Sequence, residues 1–107
     1  MNPFLQLEKI PSKEIVPGFH GKFIHTDRMT VGHFTVKAGS VLPEHQHPHE
    51  QITNLLAGTF EMTVNGQTTI CQAGEVVVIP GNTPHAGRAL TDCQLIDVFQ
   101  PARTDYQ

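Results

Sequence analysis

Tryptophan is absent from this 107-residue chain, tyrosine occurs once and cysteine only twice. Cys71 and Cys93 form neither a CxxC pair nor a disulfide framework. They read as reduced, buried thiols of a cytoplasmic protein. Charge is also scarce: 16 % of residues are Asp, Glu, Lys or Arg, with a net charge of −3. A nucleic-acid partner calls for a basic patch, and this balance argues against one. No apolar run approaches the roughly 20 residues that span a bilayer, so no membrane partner is expected. The stretch from Met1 to Lys9 has neither a basic start nor a continuous apolar run, and no secretory signal is expected there. Helical periodicity is missing too, since no long segment repeats apolar residues every three to four positions between caps. Residues 3–16, with Phe4, Leu5, Leu7, Ile10, Ile15 and Val16, are the one ambiguous stretch.

What is present is a period of two. Phe60, Met62 and Val64 alternate with polar residues over 59–64, Asn65-Gly66 follows, and Gln67 to Cys71 continues the pattern. Asn-Gly between two such runs predicts a hairpin, because both central residues of a type I′ turn need positive φ. Further strands are predicted over 29–37, 51–56, 75–79 and 94–99, the last stopped by Pro101. Glu75-Val76-Val77-Val78-Ile79 is apolar on both faces and is expected to be covered on both sides. Short strands joined by turns, with nine glycines and eight prolines to make them, predict one all-β domain, an antiparallel sandwich or barrel.

Histidine is unusually frequent: seven in all, four of them at His45, His47, His49 and His85. In a strand, alternate residues share a face, so His45, His47, His49 and Gln51 have one parity and Glu50 the other. Neutral imidazole is the commonest ligand for first-row transition ions, and two at i and i+2 converge on one ion. His85 arrives after the turn Pro80-Gly81-Asn82-Thr83-Pro84 and completes a candidate set. Pro48 bends the strand and takes His49 off strict parity. His20, His25 and His33 are read as ordinary structural or solvated residues.

The spacing Gly39, five residues, His45, one, His47, three, Gln51, six, Gly58 resembles the first cupin motif. Gly74, five residues, Pro80, four, His85 resembles the second. The resemblance implies a double-stranded β-helix, or jelly-roll barrel, spanning residues 1–107. Residues 39–58 and 74–89 would carry the motifs and residues 1–20 an arm or edge strand. It also implies one divalent transition-metal ion (zinc, nickel, iron, manganese or cobalt) on His45, His47, Gln51 and His85. The usual glutamate ligand is replaced here by Gln51, while Asn82 and Ala89 also depart from the second motif. Three imidazoles and an amide are neutral, so the ion would keep its double charge as a stronger Lewis acid. Glu50 would take Gln51's place if the register shifted by one.

Leu95, Asp97 and Phe99 share a face of the last strand. An aspartate there is costly to bury unless it is paired or used. The closing segment, with Asp97, Phe99 and Arg103, resembles the small single-cupin pectin-degradation proteins. That resemblance implies the opening of 4,5-unsaturated monouronates to linear keto sugars. Asp97 would move a proton, Phe99 would pack on the sugar, and Arg103 would grip the carboxylate with two hydrogen bonds. Arg28 and Arg88 are further candidates for the carboxylate. The competing readings are a cupin dioxygenase and a non-catalytic sugar-binding cupin. An apolar amino-terminal segment without an evident partner in the motifs also leads to the expectation of a homodimer.

Overall fold

The computed structural model describes residues 2–107. Ten antiparallel strands form two facing sheets: β1 Lys13–Val16, β2 Phe19–His25, β3 Thr30–Val36, β4 Val41–His45, β5 Glu50–Ala57, β6 Thr59–Val64, β7 Gln67–Gln72, β8 Val76–Ile79, β9 His85–Ala89 and β10 Cys93–Gln100. The larger sheet runs β1-β2-β3-β10-β5-β8 and the smaller β4-β9-β6-β7. The sequence-predicted strands all form, with ends shifted by a residue or two. Among the described residues the helical content is two short 3₁₀ turns, Leu7–Lys9 and Thr104–Tyr106. Among the described residues no helix is long and apolar enough to cross a membrane.

The Asn65-Gly66 hairpin joins β6 to β7, with Val64 opposite Gln67. Both turn residues have positive φ, 49° and 81°, as a type I′ turn requires. A strand that the alternation did not single out is β2, whose inward residues are Phe19, Gly21 and Phe23. Gly21 and Gly32 leave room for two aromatic rings. A Cβ on Gly21 would lie 2.7 Å from Phe23 and 2.9 Å from Phe34. Those rings meet edge-on at 5.4 Å, as do Phe19 and Phe60 at 6.2 Å. Around them pack Val36, Leu55, Met62 and Leu95. Each such burial is worth about 1.5–3 kcal/mol.

The inward face is not apolar throughout. Along β5 it runs Gln51, Thr53, Leu55, and along β10 Leu95, Asp97, Phe99, all buried. The strands pair with Asp97 opposite Thr53, Phe99 opposite Gln51 and Leu95 opposite Leu55. Apolar core therefore fills one end of the sandwich, and polar side chains collect at the other.

One expectation needs correcting here. Residues 75–79 are not covered on both sides. This strand begins at Val76 and is the outermost of its sheet, so Val76 and Val78 stand 55 % and 67 % exposed beside Ile52 and Leu56. The ambiguous 3–16 stretch splits. Phe4, Leu5 and Leu7 are exposed on an arm, while 13–16 pair with β2 as an edge strand. Cys71 and Cys93 are free thiols and buried, and burial pushes both thiol pKa values up.

Candidate metal centre

The structure brings three imidazoles together. His45 ends β4 and pairs with His85, the first residue of β9. His47 lies in the loop between β4 and β5. The ligand nitrogens of His45, His47 and His85 all lie within 4.8 Å of one another. Each ring is oriented by main chain: Nδ1 of His45 lies 2.8 Å from the Pro43 carbonyl, that of His47 3.0 Å from the His49 carbonyl, and that of His85 2.8 Å from the Thr83 carbonyl. A carbonyl only accepts, so each Nδ1 carries the proton and each Nε2 presents a lone pair. His85 Nε2 is buried with no hydrogen-bond partner. Burial, helped by the positive charge of Arg103, pushes the His47 pKa down to about 4, and burial also lowers His85. Three converging Nε2 lone pairs fit a divalent metal ion.

Gln51 adds an oxygen. Its Oε1 lies 3.2 Å from His47 Nε2, and its Nε2 donates to the Thr53 hydroxyl at 2.9 Å. An amide oxygen facing an imidazole lone pair places two acceptors together, an arrangement that a cation between them satisfies. Glu50 is exposed on the opposite face of β5. His49 stands outside the cluster, its ring edge-on to His47 and its Nδ1 buried and unpartnered.

One cavity is lined by His45, Gln51, Thr53, Asp97, Phe99, Arg103 and Tyr106. Asp97 is 8 % exposed, and its Oδ1 has no hydrogen-bond partner. Burial raises its pKa from 3.8 to about 6, against the pull of Thr53, Gln51 and Arg103. The Phe99 ring stands edge-on to His47 at 5.9 Å. The Arg103 guanidinium is held on three sides. It lies 4.7 Å from the Phe99 ring centre and 4.0 Å from that of Tyr106. Its Nε and Nη2 donate to the two carboxylate oxygens of Asp105 at 3.0 and 2.8 Å. Burial works against its charge, but Asp105 and Tyr106 outweigh burial and hold its pKa up.

Arg28 and Arg88 do not reach this cavity. Arg28 is exposed in a turn, and Arg88 lies on the outside of β9, 3.6 Å from Glu61. His20 pairs with Glu14, and His25 Nδ1 with the Thr30 hydroxyl, away from the cluster. Sequence reasoning passed over Thr53, Asp105 and Tyr106. Parity would have found Thr53, two residues beyond Gln51 on the same face.

Two facing sheets of this topology, with histidines from β4, β9 and the loop between β4 and β5, define a class. The cupin domain model matches residues 32–99, and the chain belongs to the cupin family. Within that family it is similar to the pectin degradation protein KdgF of Dickeya dadantii (strain 3937). The two are 32 % identical over 104 residues, 92 % of this chain and 93 % of that protein. The structure of KdgF from Halomonas sp. superposes with a TM-score of 0.92 at 29 % identity, over the full length of both chains. An RmlC-like cupin from Shewanella frigidimarina superposes with a TM-score of 0.94 at 24 % identity, covering 100 % of this chain and 97 % of that one, and shows the fold alone.

Proposed function

We propose that this protein is a metal-dependent isomerase that opens 4,5-unsaturated monouronates to linear keto sugars. The observation that carries the reading is Asp97, a buried carboxyl with a pKa raised to about 6, on the wall of the cavity that His45 and Gln51 also line. Similarity to pectin degradation proteins over the whole chain supports the substrate class.

The substrate is a cyclic enol ether with a carboxylate. Its anomeric hydroxyl loses a proton, the carbonyl forms at that carbon, and the bond to the ring oxygen breaks. The ring oxygen leaves as an enolate, and a proton returned to carbon gives the ketone. Nothing is oxidised or reduced, so one group that takes and returns a proton is enough. Asp97 does this: it is buried on the cavity wall, and its Oδ1 has no hydrogen-bond partner within the protein. Phe99 packs on the sugar and holds it against Asp97. Two of Arg103's five donors hold Asp105, and those remaining bind the substrate carboxylate. A divalent ion on His45, His47, His85 and Gln51 would supply Lewis-acid stabilisation of developing negative charge on oxygen.

The test is to add metal-loaded protein to an unsaturated monouronate and follow loss of the conjugated ultraviolet absorbance, with the product checked for a linear ketone. Turnover in air and without oxygen should be equal. Turnover only with oxygen would make the protein a dioxygenase, and binding without turnover would make it a sugar-binding module.

A further inference from the structure

We propose that Thr53 is a positioning residue that sets which end of the Gln51 amide faces the metal. The inference rests on reading the histidine cluster as a metal centre, and it names the side chain that completes it.

The amide of Gln51 has two ends of nearly equal size. If oxygen faces the cluster it is a ligand; if nitrogen does, it repels a cation and hydrogen-bonds an imidazole lone pair instead. Shape alone does not choose between the two, so a polar neighbour has to. Strand alternation puts Thr53 on the same inward face of β5, two residues on, with its hydroxyl 2.9 Å from the Gln51 nitrogen. A hydroxyl oxygen accepts, and here it takes its hydrogen bond from the amide nitrogen. With the NH₂ group held on Thr53, the amide oxygen is the end left facing His47 Nε2, 3.2 Å away. Thr53 is 3 % exposed, so water does not substitute for the hydroxyl. Its β-branch holds χ1 to few rotamers, which suits a residue that orients another.

The test is metal affinity and the spectrum of bound cobalt, with no substrate present. Wild-type protein should bind one Co²⁺ and show visible d–d bands. Thr53→Val keeps the shape and loses the hydroxyl; it should bind Co²⁺ ~10–100-fold more weakly, with shifted bands, the range usual when an outer partner of a metal ligand is removed. Thr53→Ser should restore affinity to within about 3-fold and return the bands, since it restores the hydroxyl. If Thr53→Val does not fold, Thr53→Ala carries the same expectation. The decisive comparison is in a Gln51→Glu background. A carboxylate has two equivalent oxygens and no end to choose, so Thr53→Val should there cost less than about 3-fold. An equal loss in both backgrounds would show that Thr53 acts on the cavity and not through Gln51, and would overturn the proposal. So would a Thr53→Val protein with wild-type affinity and bands. Wild-type protein that takes up no Co²⁺, Ni²⁺, Zn²⁺ or Mn²⁺ would overturn the metal reading itself, a result distinct from either.

Discussion

Asp97→Asn should make the metal-free protein more stable at neutral pH while removing most of the activity of the loaded one. The carboxyl titrates near 6 in the folded protein against an ordinary 3.8. The folded state therefore holds this proton more tightly than the unfolded chain does. Below pH 3.8 both states are protonated and the group contributes nothing to any pH dependence. As pH rises through 6 the folded state must carry a buried negative charge, and stability is lost. The whole loss is about 3 kcal/mol, since one pKa unit is worth about 1.4 kcal/mol. Asparagine keeps the size and carries no charge, so the variant escapes it. Urea denaturation in the presence of chelator would measure both proteins at pH 4.5 and pH 7.5. The advantage of the variant should be about 2 kcal/mol larger at the higher pH. Histidine titrations run the other way but are common to both proteins and cancel in the difference. With metal restored, turnover of an unsaturated monouronate should fall by ~10²-fold or more. An advantage that does not change with pH would refute the buried-charge argument. A folded, metal-loaded variant turning over at near the native rate would show that Asp97 is structural.

Replacing His45 and His47 together by alanine should abolish metal binding, and elemental analysis finding one ion per chain in the double variant would reject the cluster as the site. Phe99→Ala should raise KM and lower kcat together, because the ring packs on Arg103 and, in the proposed function, on the sugar; a change in neither would remove it from the site. Arg103→Lys loses the fork that holds Asp105 and should weaken binding of a uronate more than that of its uncharged ester, read as a ratio of KM values. The exposed Val76, Val78 and Ile52, together with Phe4 and Leu5 of the arm, lead us to expect a homodimer at micromolar concentration. Light scattering should give twice 11.8 kDa, and a monomeric mass would reject the expectation.

Local chemistry made much of the fold readable. Asn65-Gly66 forces its turn wherever it sits, and alternation marks an inward face without knowledge of the partner strand. The same rule placed Gln51 and Glu50 on opposite faces, as the structure has them. Phe19 to His25 alternates as clearly, but Gly21 interrupts its apolar side, and the reason for that glycine lies in Phe34 on another strand. Val76 and Val78 were misjudged because a strand's place in the sheet, centre or edge, depends on the crossover order and not on its own residues. The setting of Arg103 was hidden for a similar reason. Its companions Asp105 and Tyr106 reach it only because the chain makes a 3₁₀ turn after β10. Nor does strand parity reveal which residue of β10 lies across from Thr53, since that depends on pairing register.

The three imidazoles owe their orientation to carbonyls of residues 43, 49 and 83, atoms that any amino acid would bring. Those three rings are thus insulated against substitution at the positions that aim them, provided the backbone keeps its course. Gln51 has no such insurance, because its aim comes from a side chain. Mutational fragility at this centre is thus expected to be lopsided: tolerance at 43, 49 and 83, intolerance at 53. Random substitution of those four positions, screened for metal retention, would make that asymmetry visible.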